Sequence, residues 1–192
     1  MRKIRTSDSD PINVAFLESS SFSLPGRIGL TFAPGKKQRN AQSGQWDRDL
    51  ETDLSRLSSE YGTNVLVSLI EEDEFERLAI PGLRARTGHY EIESVWFPIR
   101  DTSIPQSMQE FSTLIRTLVV ALSEGKTVVI HCMGGLGRTG LVAAACLVAT
   151  TDLTAQQAIE VVRQAREGAV ENRNQEEFVR EFAKHLRLAK SN

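Results

Sequence analysis

The chain has 192 residues, of which 40% are hydrophobic and 25% are charged. These proportions exclude a disordered or collagen-like chain, and two cysteines exclude a disulfide framework. The 25 acidic and 23 basic residues nearly balance, so no strong field favours nucleic acid or an anionic membrane. No apolar run is long enough to cross a bilayer or resembles a signal peptide. We predict one cytoplasmic domain over 1–192, with polar, frayed ends at 1–10 and 189–192.

Strand-like and helix-like segments alternate along this chain. Short apolar, β-branched runs predict strands at 14–17, 27–31, 64–70, 94–99 and 127–131. Apolar residues at helical spacing predict helices at 47–61, 71–78, 105–124, 139–150, from Thr154 and from about Asn174. The stretch 33–45 is rich in turn residues and predicts a long loop. We therefore predict a single α/β domain with a central, mainly parallel, twisted sheet flanked by helices, and a site at the carboxyl ends of its strands.

The segment that carries the chemistry follows the predicted strand at 127–131 and opens a helix. It contains three glycines between Cys132 and Arg138, which allow the backbone to approach a ligand closely. Backbone N–H groups at a helix N-terminus bind oxyanions, and the guanidinium of Arg138 matches a phosphate edge. A thiolate in such a positive field is a strong nucleophile. We predict that phosphate binds the backbone of the residues between the two: Met133, Gly134, Gly135, Leu136 and Gly137.

Two other loop types are excluded by the same segment. A Walker loop would need Gly-Lys followed by Ser or Thr, and none is present. A zinc site would need a second Cys or His at ligand spacing, and the loop offers only His131 and Cys132. We therefore predict no metal and no cofactor.

The order Cys-x5-Arg, preceded by His131 and followed by Thr139 and Gly140, resembles the signature of the cysteine-dependent protein phosphatases. The resemblance implies the phosphatase fold and a two-step displacement through a phosphocysteine. It assigns Cys132 as the nucleophile and Arg138 as the phosphate-binding cation. The resemblance also implies that the hydroxyl of Thr139 forms a hydrogen bond to the departing thiolate. The general acid is an aspartate on a loop about 30 residues upstream, which matches Asp101, 31 residues before Cys132.

Among these enzymes the chain looks closest to the kinase-associated, dual-specificity type. The likeness extends to the segments 11–13, 29–36, 141–146 and 156–159, and to a glutamine that precedes the phenylalanines of the last helix. This glutamine, Gln175, resembles one that orients water in relatives and is predicted to bind substrate. Where that type often has Ser-Cys after the arginine, this chain has Thr139-Gly140, which weakens any inference of the type's cell-cycle kinase partner.

Four further features are interpreted mainly as structural. We expect His131 to be a buried histidine that holds the loop and favours the thiolate, without transferring a proton itself. Cys146, within an apolar run, is expected in the core, with a disulfide to Cys132 as the alternative. The basic residues Lys36, Lys37 and Arg39 are expected at the surface, where they could contact an acidic substrate segment, and the acidic run 71–76 is expected to be a solvated helix face.

The leading hypothesis is a phosphatase of phosphotyrosine, phosphoserine or phosphothreonine, whose partner is a phosphorylated protein or peptide. A phosphatase of inositol phosphates or phosphoinositides is an alternative, but such sites usually carry lysines inside the loop and this one has none. A non-catalytic phosphate-binding module is a second alternative, which the presence of Cys132, Arg138 and Asp101 disfavours. Sulfurtransferases and arsenate reductases also use a loop cysteine, but the upstream aspartate and the Arg-Thr-Gly ending fit them poorly. The oligomeric state is left open.

Overall fold

The central feature of the computed structural model, which describes residues 4–18, 20, 23–41 and 44–190, is a five-stranded sheet. Its strands are β2 (Ala15–Phe16), β3 (Arg27–Phe32), β6 (Val65–Ser68), β7 (Glu93–Trp96) and β8 (Thr127–Cys132). They lie in the order β2-β3-β8-β6-β7, and only the short edge strand β2 runs antiparallel to its neighbour. The prediction of a mainly parallel sheet is therefore confirmed.

Helices cover both faces of this sheet. Every residue of β6 and β8 is buried, and successive side chains of a strand point to opposite faces, so neither face is open to solvent. In chain order, the helices are α1 (Leu50–Ser59), α2 (Glu72–Arg77), α3 (Leu83–Arg86), α4 (Met108–Ser123), α5 (Gly137–Thr150), α6 (Ala155–Ala165) and α7 (Arg173–Lys190). The apolar sequence of α5 suits its position, since it is buried from Gly137 to Leu147 against α4, α6 and α7.

Local sequence signals set several helix ends. Thr154 caps α6 by accepting from the backbone N–H of Gln157. The side chain of Gln157 in turn accepts from the backbone N–H of Thr154, so the two residues form a capping box at the predicted start of this helix. Ser107 accepts from the N–H of Glu110, so α4 begins later than the predicted residue 105. Gly125 follows α4 at a φ of 81°, a conformation that glycine adopts without strain.

A second sheet was missed by the sequence analysis. Strands β1 (Ile4–Arg5), β4 (Lys37–Ala41) and β5 (Gly44–Asp47) form a three-stranded sheet in the order β1-β5-β4. The predictions of a loop at 33–45 and of a frayed segment at 4–10 are therefore wrong. The strands are short and largely polar, so they lack the apolar alternation that indicates a strand. Residues 1–3, 191 and 192 lie outside the described residues, and 189–190 belong to α7.

A buried arginine holds the N-terminal segment in place. Arg48 donates two 2.8 Å hydrogen bonds to the carboxylate of Asp53 in α1. Its remaining nitrogen donates to the backbone carbonyls of Thr6 and Asp10. These contacts satisfy a guanidinium that has been removed from water, and they explain why polar residues near the terminus are ordered.

The topology brings three strand ends together. The residues that follow β6, β7 and β8 meet at the carboxyl edge of the parallel sheet, where α5 begins. Across the described segments, no helix is both long and apolar enough to span a membrane.

Candidate active site

Cys132 lies at the point where a fully buried strand meets a largely buried helix. It is the last residue of β8, and α5 begins five residues later at Gly137. The backbone N–H of Gly135 donates to Sγ of Cys132 at 3.2 Å. Gly135 has a φ of 73°, and a Cβ there would overlap the backbone carbonyl of Thr31 in β3, so the loop requires glycine at this position. The loop thus folds back over the sulfur and directs an amide at it.

Arg138 is buried and held from two sides. Its side chain is 1% exposed and makes two hydrogen bonds to the carboxylate of Glu74, at 2.6 and 3.0 Å. The same guanidinium donates to the backbone carbonyl of Ile99 at 2.9 Å and to Oδ1 of Asp101 at 2.8 Å. Burial opposes the charge, but the hydrogen bond to Glu74 and the nearby anionic groups raise the pKa of Arg138 above its ordinary value. A permanently charged, oriented guanidinium therefore lies at the start of α5.

Asp101 reaches the site from the loop after β7, as predicted. Its carboxylate accepts from Arg138 and, at 3.1 Å, from the backbone N–H of Thr102, while its side chain remains 51% exposed. Thr102 adopts a left-handed φ of 58°, and Asn172 donates to its carbonyl. The structure thus brings Asp101 and Arg138 into direct contact at the edge where Cys132 lies.

Gln175, near the start of α7, forms a hydrogen bond to the loop that carries Asp101. It is fully buried: its Nε2 donates to the carbonyl of Ser103 at 3.2 Å, and its Oε1 accepts from the N–H of Glu171 at 3.0 Å. Both ends of the amide are therefore used by backbone groups in this structure. A part for Gln175 in binding substrate or water stays a prediction.

His131 is a buried, fully bonded histidine. Its Nδ1 lies 3.3 Å from the carbonyl of Cys132, which can only accept, so Nδ1 carries the proton. Its Nε2 then accepts from the hydroxyl of Ser68 in β6 at 2.7 Å. Burial lowers the pKa of His131 to about 4, so the ring is neutral near pH 7. Any help it gives to a thiolate comes from holding the loop and not from charge.

Thr139 is the third residue of α5, directly after Arg138. Its side chain is fully buried, and its hydroxyl has no hydrogen-bond partner among the described residues. A buried hydroxyl without a partner is costly and calls for an explanation, which a partner present at only one stage of a reaction would supply. Hydrogen bonding to a departing thiolate stays the predicted role.

Cys146 lies deep in α5 and is separated from the loop. Burial raises the pKa of its thiol to about 12, so it is an unreactive core residue. It follows Gly137 by nine residues, which places it about 13 Å along the helix at ~1.5 Å per residue. Both cysteines are free, so the structure does not support the alternative of a disulfide with Cys132.

Four residues that contact the loop or Arg138 were not identified from the sequence. Glu74 was placed on a solvated face, but it is fully buried against Arg138; its position four residues before the apolar Leu78 indicated an inward face. The other three are Lys36, Arg166 and Glu171. Lys36 was expected at the surface, but it is buried and donates to the carbonyl of Met133. Arg166 donates to the carbonyl of Gly134, and Glu171 accepts from the N–H of Gly137.

No group of three metal-ligating side chains occurs in the part of the chain that the structure describes. The positive charge of the site comes instead from Arg138, Lys36 and Arg166 and from backbone amides.

Comparison with known proteins supports the family resemblance. A family profile for the catalytic domain of dual specificity phosphatases matches residues 56–185. The chain is 27% identical over 180 residues to cyclin-dependent kinase inhibitor 3 of Mus musculus, covering 93% of this chain and 82% of that protein. It is 44% identical over 80 residues to protein tyrosine phosphatase domain-containing protein 1 of Bos taurus, covering 42% of this chain and 10% of that protein.

A solved structure is similar over almost the whole chain. It is kinase associated phosphatase with a serine in place of its catalytic site cysteine. The two structures superpose with a TM-score of 0.82 at 25% identity, covering 92% of this chain and 96% of that one.

Proposed function

The chain belongs to the dual-specificity phosphatase family and is a cysteine-based protein phosphatase. We propose that its substrate is a phosphorylated protein or peptide and that Cys132, Arg138 and Asp101 carry out the reaction. The observation that carries the proposal is the convergence of Cys132, Arg138 and Asp101 from three separate elements at one edge of the sheet.

In the first step the thiolate of Cys132 attacks phosphorus in line with the leaving oxygen. A sulfur–phosphorus bond forms as the phosphorus–oxygen bond breaks, and charge spreads over the equatorial oxygens. Arg138 and the loop amides of 133–138 stabilise that charge. Asp101 gives its proton to the leaving oxygen, so that the product departs as an alcohol or phenol.

In the second step water displaces the sulfur. Asp101, now a carboxylate, accepts a proton from the attacking water, and inorganic phosphate is released as the sulfur–phosphorus bond breaks. The free hydroxyl of Thr139 donates a hydrogen bond to the thiolate that leaves. Neither step needs a metal ion or a cofactor, because the loop itself supplies the positive charge.

The experiment that tests this proposal measures steady-state hydrolysis by the wild type and by Cys132→Ser, with Cys146→Ser as the matched control. We offer both variants phosphotyrosine, phosphoserine and phosphothreonine peptides and, in parallel, inositol phosphates. Wild type and Cys146→Ser should hydrolyse the phosphopeptides, and Cys132→Ser should not. Retained turnover in Cys132→Ser would refute the assigned nucleophile, and faster hydrolysis of inositol phosphates would refute the assigned substrate class.

A further inference from the structure

Lys36 is a buried cation beside the catalytic loop. It lies in the turn between β3 and β4, a turn that Asp53 anchors by accepting from the N–H of Gly35 at 2.8 Å. The residue is only 3% exposed, and its ammonium donates to the backbone carbonyl of Met133 at 3.1 Å. Its exposed neighbour, Lys37, pairs instead with Asp47 on the outside of the hairpin.

The surroundings of Lys36 do not compensate its charge in the usual way. Its ammonium lies over the rings of Trp46 and Phe32, 4.1 and 5.0 Å from their centroids. No carboxylate within the described segments forms an ion pair with it. A buried ammonium without an anionic partner is expensive, and such groups are retained where their charge is used.

The charged groups around Lys36 identify the anion that it faces. Burial, together with the smaller effects of the cations Arg48, Arg166 and Arg5, lowers the pKa of Lys36 to about 8. The one charge that opposes them is that of Cys132, which favours the protonated lysine. The natural counter-ion of this buried ammonium is therefore the catalytic thiolate, or a phosphate bound in its place.

The contact of Lys36 with the Met133 carbonyl, which also accepts from the N–H of Ala33 at 3.4 Å, helps to fix the orientation of a loop amide. In a planar trans peptide the C=O and N–H point in opposite directions, so a carbonyl held by Lys36 turns the N–H of Gly134 to the other side. The next peptide unit shows the same relation directly. Arg166 holds the carbonyl of Gly134 at 3.1 Å, and the N–H of Gly135 in that unit points at the sulfur of Cys132.

We propose that Lys36 is a positioning residue for phosphoryl transfer: its ammonium holds the Met133 carbonyl outward so that the following N–H faces the anion site, and it adds positive charge beside Cys132. The proposal rests on the function proposed above, since it concerns the same nucleophile and the same phosphate. It adds a residue that belongs neither to the Cys-x5-Arg segment nor to the Asp101 loop.

The test compares Lys36→Met, which keeps the length and loses the charge, with Lys36→Arg, which keeps the charge, and with Lys37→Met as the matched surface control. The primary measurement is the rate at which Cys132 is alkylated by anionic iodoacetate, divided by its rate with neutral iodoacetamide. The ratio reports the local positive potential, because the fraction of ionised thiol cancels. Circular dichroism and thermal unfolding establish that each variant is folded.

We expect the ratio to fall several-fold in Lys36→Met and to stay within about twofold of wild type in Lys36→Arg and Lys37→Met. In the wild type the ratio should also fall as pH rises through about 8, because Lys36 loses its charge there, and it should be flat in Lys36→Met. We expect kcat/KM of Lys36→Met to fall by roughly 10- to 100-fold, since a misplaced loop costs that order of rate.

A folded Lys36→Met with the wild-type alkylation ratio would overturn the proposal, whatever its thermal stability, and would leave Lys36 a structural residue. The alkylation ratio needs no turnover, so it separates this proposal from the proposed function. If wild type failed to hydrolyse phosphopeptides but the ratio behaved as expected, the proposed function would fall and the position of Lys36 beside the thiolate would stand.

Discussion

Oδ1 of Asp101 lies 2.8 Å from Nη2 of Arg138, so the proposed general acid contacts the proposed phosphate-binding group. The inner edge of the guanidinium is occupied by Glu74, which leaves the edge bonded to Asp101 as the one that a phosphate can reach. Substrate and Asp101 therefore compete for Nη2. Since the Asp101 side chain is half exposed, it can exchange for phosphate without disturbing the buried pair beneath it.

Asp101→Asn should lower kcat in a way that depends on the leaving group. Proton donation contributes roughly 10²- to 10⁴-fold, and a loss in that range is expected with phosphotyrosine peptides, whose phenol has a pKa of about 10. The loss should be smaller with p-nitrophenyl phosphate, because p-nitrophenolate leaves readily without a proton. Steady-state kinetics with both substrates check this. An equal loss with both would point to a different acid.

Glu74→Gln should destabilise the fold as well as the site. Breaking a buried pair by removing one charge costs about 3–5 kcal/mol, and the amide that replaces the carboxylate leaves the guanidinium with only the half-exposed carboxylate of Asp101 as an anionic partner. Urea unfolding of this variant measures the loss of unfolding free energy. The exposed Glu76, two residues away in the same helix, provides the control, and Glu76→Gln should change stability by less than about 0.5 kcal/mol. If the two variants had equal unfolding free energies, the buried pair of Glu74 and Arg138 would not contribute to stability as proposed.

Glu171→Gln should strengthen the binding of phosphate. The carboxylate of Glu171 accepts from the N–H of Gly137 at 3.1 Å, and this N–H is one of the amides that we assign to the anion site. Removing its charge removes a competitor and a repulsion, so the inhibition constants of phosphate and vanadate should fall several-fold. Glu177→Gln, at an exposed position of α7, should leave them unchanged. If phosphate and vanadate inhibited Glu171→Gln more weakly than wild type, the result would show that the Glu171 carboxylate assists their binding.

The local parts of the site could be predicted from the sequence, whereas its long-range partners could not. Cys132 and Arg138 are six residues apart, and the apolar strand before them and the helix after them fix their geometry. The partners of this loop come from distant segments: Glu74 lies 64 residues from Arg138, and Lys36 lies 97 residues from Met133. No pattern in a single sequence marks such pairs, because a buried charge looks like a surface charge until its partner is known.

The missed sheet has a related cause. Strands β1, β4 and β5 are two to five residues long, and polar residues such as Lys37 and Gln38 lie within them. The segment that follows β1 is held by Arg48, which donates to Asp53 and to the carbonyls of Thr6 and Asp10. Hydrophobic periodicity carries no information about such an arrangement.

Thr139→Val should slow the second step more than the first. The hydroxyl has no partner among the described residues, so its replacement by a methyl group should leave stability equal or improved. A hydrogen bond to a charged group contributes about 1.5–3 kcal/mol, which corresponds to roughly 10- to 100-fold in the rate of phosphocysteine hydrolysis. Rapid-mixing kinetics with p-nitrophenyl phosphate should therefore show a burst of p-nitrophenol in the variant. A uniformly slow reaction without a burst would show that the Thr139 hydroxyl does not act mainly in the second step.

The most direct measurement traps the covalent intermediate. Asp101→Asn, which also lacks the base of the second step, is mixed with p-nitrophenyl phosphate, quenched in acid within milliseconds and digested for mass spectrometry. A phosphoryl group on the peptide that contains Cys132, absent from Cys132→Ser under the same conditions, is the predicted result. Phosphate release with no phosphorylated cysteine at any quench time, or with the label on another residue, would contradict nucleophilic catalysis by Cys132.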